Sequence, residues 1–216
     1  WLIKRGDALT NGNKTGALSE WAFFTLLAVL AGLVGLYLPF LATLATICLP
    51  LPLILLVIRR DVRYGLIGLA AAGLILVVLS SEPVMTMVLI ISYGLLGILF
   101  GLLFKNRISS WKSFLIGLLG SVSLALVSAA AIYLLNGENI FVLNEEARQA
   151  AAQWWAANQG AMTFSDVPAE WQEEFTSKVL AMLELLIPGQ YLITSAASAA
   201  VTYFLARVVL KRFNFP

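Results

Sequence analysis

Several residue types are missing or scarce in this sequence of 216 residues, and each absence excludes a kind of chemistry. There is no histidine, which excludes His-based catalytic triads, His-ligated metal ions and histidine proton shuttles. The one cysteine, Cys48, lies inside an apolar stretch, so a thiolate metal centre and a disulfide within the chain are excluded as well. We therefore expect no metal site and no cofactor.

Charged residues are also scarce. They make up 12% of the chain, whereas an average soluble domain carries roughly 25%. Hydrophobic residues make up 60%, and the mean hydropathy is +0.89. This composition indicates an integral membrane protein in contact with the lipid bilayer, and we expect no nucleic-acid partner.

The apolar residues are grouped into segments long enough to cross a membrane. A bilayer core requires about 20 apolar residues per helix. Pro39 separates the first two segments, because proline suits the first turn of a helix and disfavours helix in the residue before it. We predict an all-α membrane protein that forms a single transmembrane domain over residues 1–216. Its six predicted spans are 17–37, 38–58, 64–80, 84–104, 113–135 and 189–206.

Charge is distributed unequally between the two sides of this predicted bundle. If the six spans alternate in direction, 12 of the 14 basic residues fall on one side and 9 of the 12 acidic residues on the other. Because basic residues collect on the cytoplasmic side, we predict that both termini are cytoplasmic and that 136–188 lies outside. The basic residues of the first side are Lys4, Arg5, Lys14, Arg59, Arg60, Arg63, Lys105, Arg107, Lys112, Arg207, Lys211 and Arg212.

The extracytoplasmic segment 136–188 is predicted to contain two helices, one from Asn144 and one from Asp166, before Pro188-Gly189 kinks or ends the second. Its tryptophans have two interpretations: they anchor amphipathic helices at the membrane surface, or they belong to a lid over a ligand pocket. The candidate ligand-binding residues of the lid interpretation are Trp154, Trp155, Asn158, Trp171, Gln190 and Tyr191.

Each of two further patterns can be interpreted either as part of the bundle's own structure or as a docking site for a partner. Small residues at four-residue spacing, among them Ala28, Gly32 and Gly35 in the first span, either pack helices within the bundle or dock another membrane subunit. The basic turn with Arg59, Arg60 and Arg63 either sets the topology and contacts lipid phosphate, or contacts a partner. Pro50 and Pro52 break the second span, either as a kink or as part of a cavity wall.

Ionisable residues are almost absent from the middle of the predicted spans. A cation-driven transporter is expected to place carboxylates near the centre of the membrane, and an ATPase needs a glycine-rich phosphate loop. Neither feature is present, so autonomous pumping is not expected. The spans also contain no histidine and almost no carboxylate that could serve in acid–base catalysis, and we expect that the protein is not an enzyme.

Four motifs carry a resemblance that covers nearly the whole chain. They are G-A-L-S-E-W-A at 16–22, P-L-P-L-I-L-L-V-I-R-R-D-V-R-Y-G-L at 50–66, the G-x-x-x-G of 97–101 with K-N-R-I-S-S-W-K at 105–112, and L-A-R-V-V-L-K-R-F at 205–213. With these motifs the chain resembles the YybS-like bacterial membrane proteins, an uncharacterised family. More distantly it resembles the S components of energy-coupling-factor (ECF) vitamin transporters.

The resemblance to S components implies a six-helix protein that binds a vitamin or other micronutrient from outside. It also implies partners: a T component that carries the S component, and two ATPase subunits that supply energy. S components dock the T component through A-x-x-x-A in the first helix, where this chain has Ala28-x-x-x-Gly32 and Ala31-x-x-x-Gly35.

Two hypotheses result for a multi-pass protein of the bacterial inner membrane. The first is a substrate-binding subunit, similar to an S component, for uptake of a small molecule with energy from partner subunits. The second is a non-catalytic scaffold without a ligand. An enclosed cavity beneath the outer segment, lined by Trp154, Trp171 or Tyr191, would favour the first.

Reporter fusions test the predicted topology. Because the positive-inside rule places segment 144–165 outside, alkaline phosphatase fused within it should be active and green fluorescent protein should not fluoresce. A fusion at the basic turn near residue 60 is the control and should give the opposite pair of results. A cytosolic location of 144–165 would contradict the topology and, with it, an outward-facing pocket.

Overall fold

The structure, a computed structural model, describes residues 2–137, 139–142, 145, 148–150, 153–154 and 169–212. The described chain is helical and contains no strand. A short 3-10 turn, Pro39–Leu41, follows the first helix. The α-helices are α1 (Leu2–Tyr37), α2 (Ala42–Cys48), α3 (Pro50–Arg59), α4 (Val62–Leu79), α5 (Pro83–Lys105), α6 (Ser110–Asn136) and α7 (Ala169–Arg212).

Six helical segments among the described residues are long and apolar enough to cross a membrane. This confirms the predicted all-α fold with six spans, and α2 and α3 together form the second span. The segments are Leu18–Tyr37, Ala42–Arg59, Val62–Leu79, Pro83–Lys105, Ser110–Asn136 and Ser177–Arg212.

The last helix differs from the prediction. A kink or an end was expected at Pro188-Gly189; an end there is wrong, because α7 runs from Ala169 to Arg212 with Pro188 inside it. The residues before Pro188 are strong helix formers such as leucine, methionine and glutamate, and their propensity favours continuation. Transmembrane helices also tolerate proline because neighbouring groups satisfy the freed backbone. The predicted span 189–206 is therefore only the second half of a longer helix.

Helices α3 and α5 form the centre of the bundle. In α3, Leu53, Leu56 and Val57 are fully buried. One apolar cluster lies between this pair and helices α1 and α4, and a second lies between the pair and α7. Because α3 and α5 contribute to both clusters, they join the two halves of the bundle.

The two prolines interrupt the second span less than expected. The interruption is a single residue, Leu49, whose φ of −55° and ψ of −40° stay helical. Its N–H still donates to the carbonyl of Ala45 at 2.8 Å. Thr202 of α7, which is fully buried, donates its hydroxyl to the carbonyl of Ile47 at 3.4 Å. The irregular backbone is thus covered by a polar group of a neighbouring helix.

The contact between α3 and α5 depends on glycine. A Cβ atom added at Gly97 would lie 2.8 Å from the carbonyl oxygen and 3.1 Å from the Cα atom of Pro50. One added at Gly101 would lie 2.7 Å from the Cβ atom of Val57. Backbone atoms cannot move aside as a flexible side chain can, so the helices must separate if either glycine gains a side chain.

We expect Gly97→Ala to lower the free energy of unfolding by about 1–3 kcal/mol, the usual cost of overpacking. Gly189→Ala is the matched control, because Gly189 is helical and no atom lies within 4 Å of its added Cβ. That change should stabilise the helix by about 0.5–1 kcal/mol. Unfolding in mild detergent, followed by circular dichroism, measures both. Equal stabilities of the two variants would contradict the proposed packing.

Candidate functional site

A cavity of about 250 Å³ lies between α5, α6 and α7. Its walls include Met85 near the start of α5, Ile132 near the end of α6, and Tyr191 in α7. Ile140, in the segment that follows α6, also lines it. These residues place the cavity toward the end of the bundle that carries Glu82 and Glu184, here called the acidic end, opposite the basic end with Arg59, Arg60 and Lys105.

Short side chains leave this space open. Ser121, Ala125 and Ser128 follow one another at spacings of four and three residues, so they share one face of α6. Ser92 of α5 and Ser195 of α7 face the same space. Where three helices meet through serine and alanine, the side chains do not fill the volume between the backbones.

The serines form hydrogen bonds that leave bonding capacity for a ligand. Ser92 contacts Ser128, and each hydroxyl also lies within hydrogen-bonding distance of a carbonyl four residues earlier in its own helix, at 2.7 and 2.6 Å. Two hydroxyl protons cannot serve three contacts. One contact at a time therefore lacks a proton, and this pair has an acceptor free for a donor from a ligand.

No lysine, arginine, aspartate or glutamate lines the cavity among the described residues. Its polar groups are hydroxyls, including the phenols of Tyr93 and Tyr191 and the side chain of Thr194. An uncompensated charge in such surroundings is costly. The cavity therefore suits a neutral molecule with a largely apolar body and a few hydrogen-bonding groups.

The acidic end of the cavity is bordered by the segment that follows α6. Phe141 packs edge to face against Tyr191, with 5.8 Å between the ring centroids. Further along, Arg148 forms an ion pair with Glu184 of α7, and this pair raises the pKa of the arginine. Both contacts hold the segment against α7 beside the cavity.

The predicted ligand residues fall in different places. Tyr191 lines the cavity, as the lid interpretation requires. Gln190 is exposed and is not part of the wall, and Trp154 is 61% exposed and does not line the cavity either. Trp171 lies in the first turn of α7, with its side chain outside the description. Trp155 and Asn158 lie outside the described residues.

Sequence reasoning missed Tyr93 and the serines of the cavity. The phenol of Tyr93 lies beside the hydroxyls of Thr46 and Ser198, at the junction of α2, α5 and α7. The available signal was the run of small and hydroxyl residues along one face of α6. Such a run shows that the side chains on this face of α6 are short, but it does not show whether side chains of a neighbouring helix fill the space beside them.

The small residues considered for docking lie inside the bundle. Ala28 is 1% exposed. A Cβ added at Gly32 would overlap the side chain of Leu76 in α4, and one at Gly35 would lie 3.0 Å from the Cβ of Ala45. The structure thus uses these three positions to bring α1 close to α2 and α4, which is the packing alternative considered from the sequence.

The arginines considered for docking are partly engaged within the chain. Arg60 donates from Nε to Oε2 of Glu20 at 2.8 Å, and Arg59 lies 3.8 Å from the other oxygen of the same carboxylate. Lys105 binds Asp61 at 3.1 Å. The pKa of Asp61 is lowered by a hydrogen bond from the backbone of Val62 and by Lys105. Arg63 is exposed.

Comparisons with known proteins identify a family and nothing finer. A family model described as "Predicted membrane protein (DUF2232)" matches residues 25–216. No curated protein and no solved structure matches the chain. The match agrees with a multi-pass membrane protein, while the resemblances to YybS-like proteins and to S components stay predictions.

Thiol labelling tests whether the cavity is open to water. In a Cys48→Ala background, Thr194→Cys places a thiol in the cavity wall. Ile193→Cys is the control: this side chain is 70% exposed, lies outside the wall and belongs to a membrane span, so its surface faces lipid and not water. A thiolate forms only where water reaches, so a small charged thiosulfonate should label Thr194→Cys at least about tenfold faster. Equal rates for the two variants would show that the cavity is closed to water.

Proposed function

We propose that this chain, which belongs to the DUF2232 family of predicted membrane proteins, binds a small neutral molecule in the cavity between α5, α6 and α7. The observation that carries this proposal is the cavity itself, with apolar walls, unpaired hydroxyl capacity and Tyr191 at its rim. The role requires binding and release without covalent chemistry. It is that of a ligand-binding subunit, not of an enzyme.

The size and lining of the cavity restrict the ligand. At about 250 Å³ the space lies just below the range of roughly 300–1,000 Å³ typical of ligand pockets. A compact molecule is therefore expected, such as a vitamin-sized heterocycle in its neutral form. Ser92 and Ser128 would bind its polar group, while Val88, Leu124 and Ile132 would contact its apolar part.

The position of the cavity supports capture from outside the cell. In the topology proposed from the charges, the basic end is cytoplasmic and the acidic end faces outward across the bacterial inner membrane. The cavity lies near the acidic end, beneath the segment that contains Ile140 and Phe141. A ligand would thus enter from outside and would meet the Tyr191–Phe141 contact first.

Energy for transport would come from other subunits. Among the residues that the structure describes, the cavity wall offers no carboxylate that could bind a coupling cation. Together with the resemblance to S components, this favours a substrate-binding subunit that depends on a T component and ATPase subunits. A scaffold without a ligand is the other candidate, and the experiment below distinguishes the two.

Native mass spectrometry after extraction in mild detergents should detect one retained small molecule per chain. Ala125→Phe fills the cavity and should abolish this adduct, because Ala125 is buried in its wall. Ala130→Phe makes the same change on an exposed position of α6 and should leave the adduct unchanged.

A second pair of variants avoids large side chains. The double change Ser92→Ala and Ser128→Ala removes the paired hydroxyls, and each lost hydrogen bond should weaken retention by roughly fivefold to tenfold. Ser123→Ala, at an exposed position of α6, is the control. An adduct that all these variants retain, or no adduct in any mild detergent, would contradict the proposal and favour the scaffold.

A further inference from the structure

A second open space lies at the basic end, between the turn that joins α5 to α6 and the last turns of α7. It encloses about 730 Å³ and is named here the basic groove. Arg107 from the turn and Arg207 and Lys211 from α7 line it. Three cationic side chains from two separate elements therefore converge on one space, which is independent of the cavity near the acidic end.

The turn that carries Arg107 has a defined geometry. Helix α5 ends in a Schellman motif, in which the N–H of Ile108 bonds the carbonyl of Leu103 at 3.1 Å and that of Arg107 bonds the carbonyl of Phe104 at 3.0 Å. Arg107 occupies the left-handed position, with a φ of +53°. Glycine is the usual residue there, and a larger side chain costs free energy. The arginine is thus present despite its conformational cost.

The three cations differ from Arg60 and Lys105, two other basic residues of this end. Arg60 and Lys105 are neutralised by Glu20 and Asp61. In contrast, Arg107, Arg207 and Lys211 take part in no ion pair with a residue that the structure describes. The groove therefore carries positive charge that the described chain leaves uncompensated.

Two other features of the groove suit an anion with an apolar body. Ser109 and Ser110 at the start of α6 line it, and Ser109 makes no capping hydrogen bond through its side chain, so N–H groups of the first helical turn stay available. The remaining wall is apolar. Phe204 and Val208 line it and are 57% and 64% exposed on the outer surface of the bundle.

We propose that the basic groove binds the headgroup of an anionic phospholipid. The guanidinium groups would bind the phosphate oxygens through paired N–H donors, and the acyl chains would lie along Phe204 and Val208. The apolar surface distinguishes a lipid from free phosphate, because phosphate alone would gain nothing from it. Basic spaces between transmembrane helices at the cytoplasmic side are typical sites for such headgroups.

Delipidated full-length protein in detergent, titrated with phosphatidylglycerol or phosphatidylcholine and observed by native mass spectrometry, tests this site. Phosphatidylglycerol should bind preferentially. Each change among Arg107→Gln, Arg207→Gln and Lys211→Gln should weaken its binding by about fivefold, as expected for one cation near a membrane surface. Arg63→Gln is the control, because Arg63 is exposed and does not line the groove.

Arg107→Gly separates binding from folding. Glycine suits the left-handed position, so this variant should be at least as stable as the wild type and should still lose phosphatidylglycerol binding by about fivefold. Unchanged binding in this variant and in the triple glutamine variant would overturn the site. Equal binding of the two lipids, or displacement of phosphatidylglycerol by millimolar inorganic phosphate, would overturn the assignment to a lipid.

Discussion

The close approach of α3 and α5 is the contact on which the bundle depends. Lipid tails are as apolar as leucine, so helices in a membrane gain little from hydrophobic burial against one another and associate by close packing. Gly97 and Gly101 allow α5 to lie against the backbone of α3 at Pro50 and Ile54. Since α1 and α4 pack on one side of this pair and α7 on the other, its spacing fixes where every other helix can lie.

The cavity follows from the order of side-chain sizes along α6. Near the basic end, Gly117 faces the ring of Phe100, which fills the space that the glycine leaves. Toward the acidic end, Ser121, Ala125 and Ser128 continue the same face of short side chains, and Tyr93 of α5 lines the space beside them without filling it. The space beside these short side chains therefore stays open as the cavity. Packing, not a specialised motif, creates the candidate site.

The sequence contained enough information for the number of spans and for much of their bounds, because span length and hydrophobicity are local properties. It could not show which neighbouring helix each helix face contacts. Ala28 and Gly32 permitted both docking and internal packing, and the sequence could not show that Gly32 lies against Leu76 of α4. Tyr191 was predicted as a candidate residue and lines the cavity, whereas Ser92 and Ser128 were not predicted, since their meeting depends on how α5 and α6 are rotated. Pro188 was given too much weight as a possible helix end, against the helix-forming residues around it.

Helix α7 lines both the cavity and the basic groove and is held unequally along its length. Its second half is fixed in the core: Ala199 and Thr202 are buried, and Tyr203 donates its hydroxyl to the carbonyl of Ser110 at 2.9 Å. Before Tyr191, none of the described side chains of residues 177–190 is buried, Leu185 is 80% exposed, and Glu184 pairs with Arg148. A helix with few buried contacts at one end opens there at lower cost. Tyr191, Thr194 and Ser195 line the cavity directly after this stretch. The cavity therefore adjoins the part of α7 whose displacement costs least, which is where the ligand proposed above would enter.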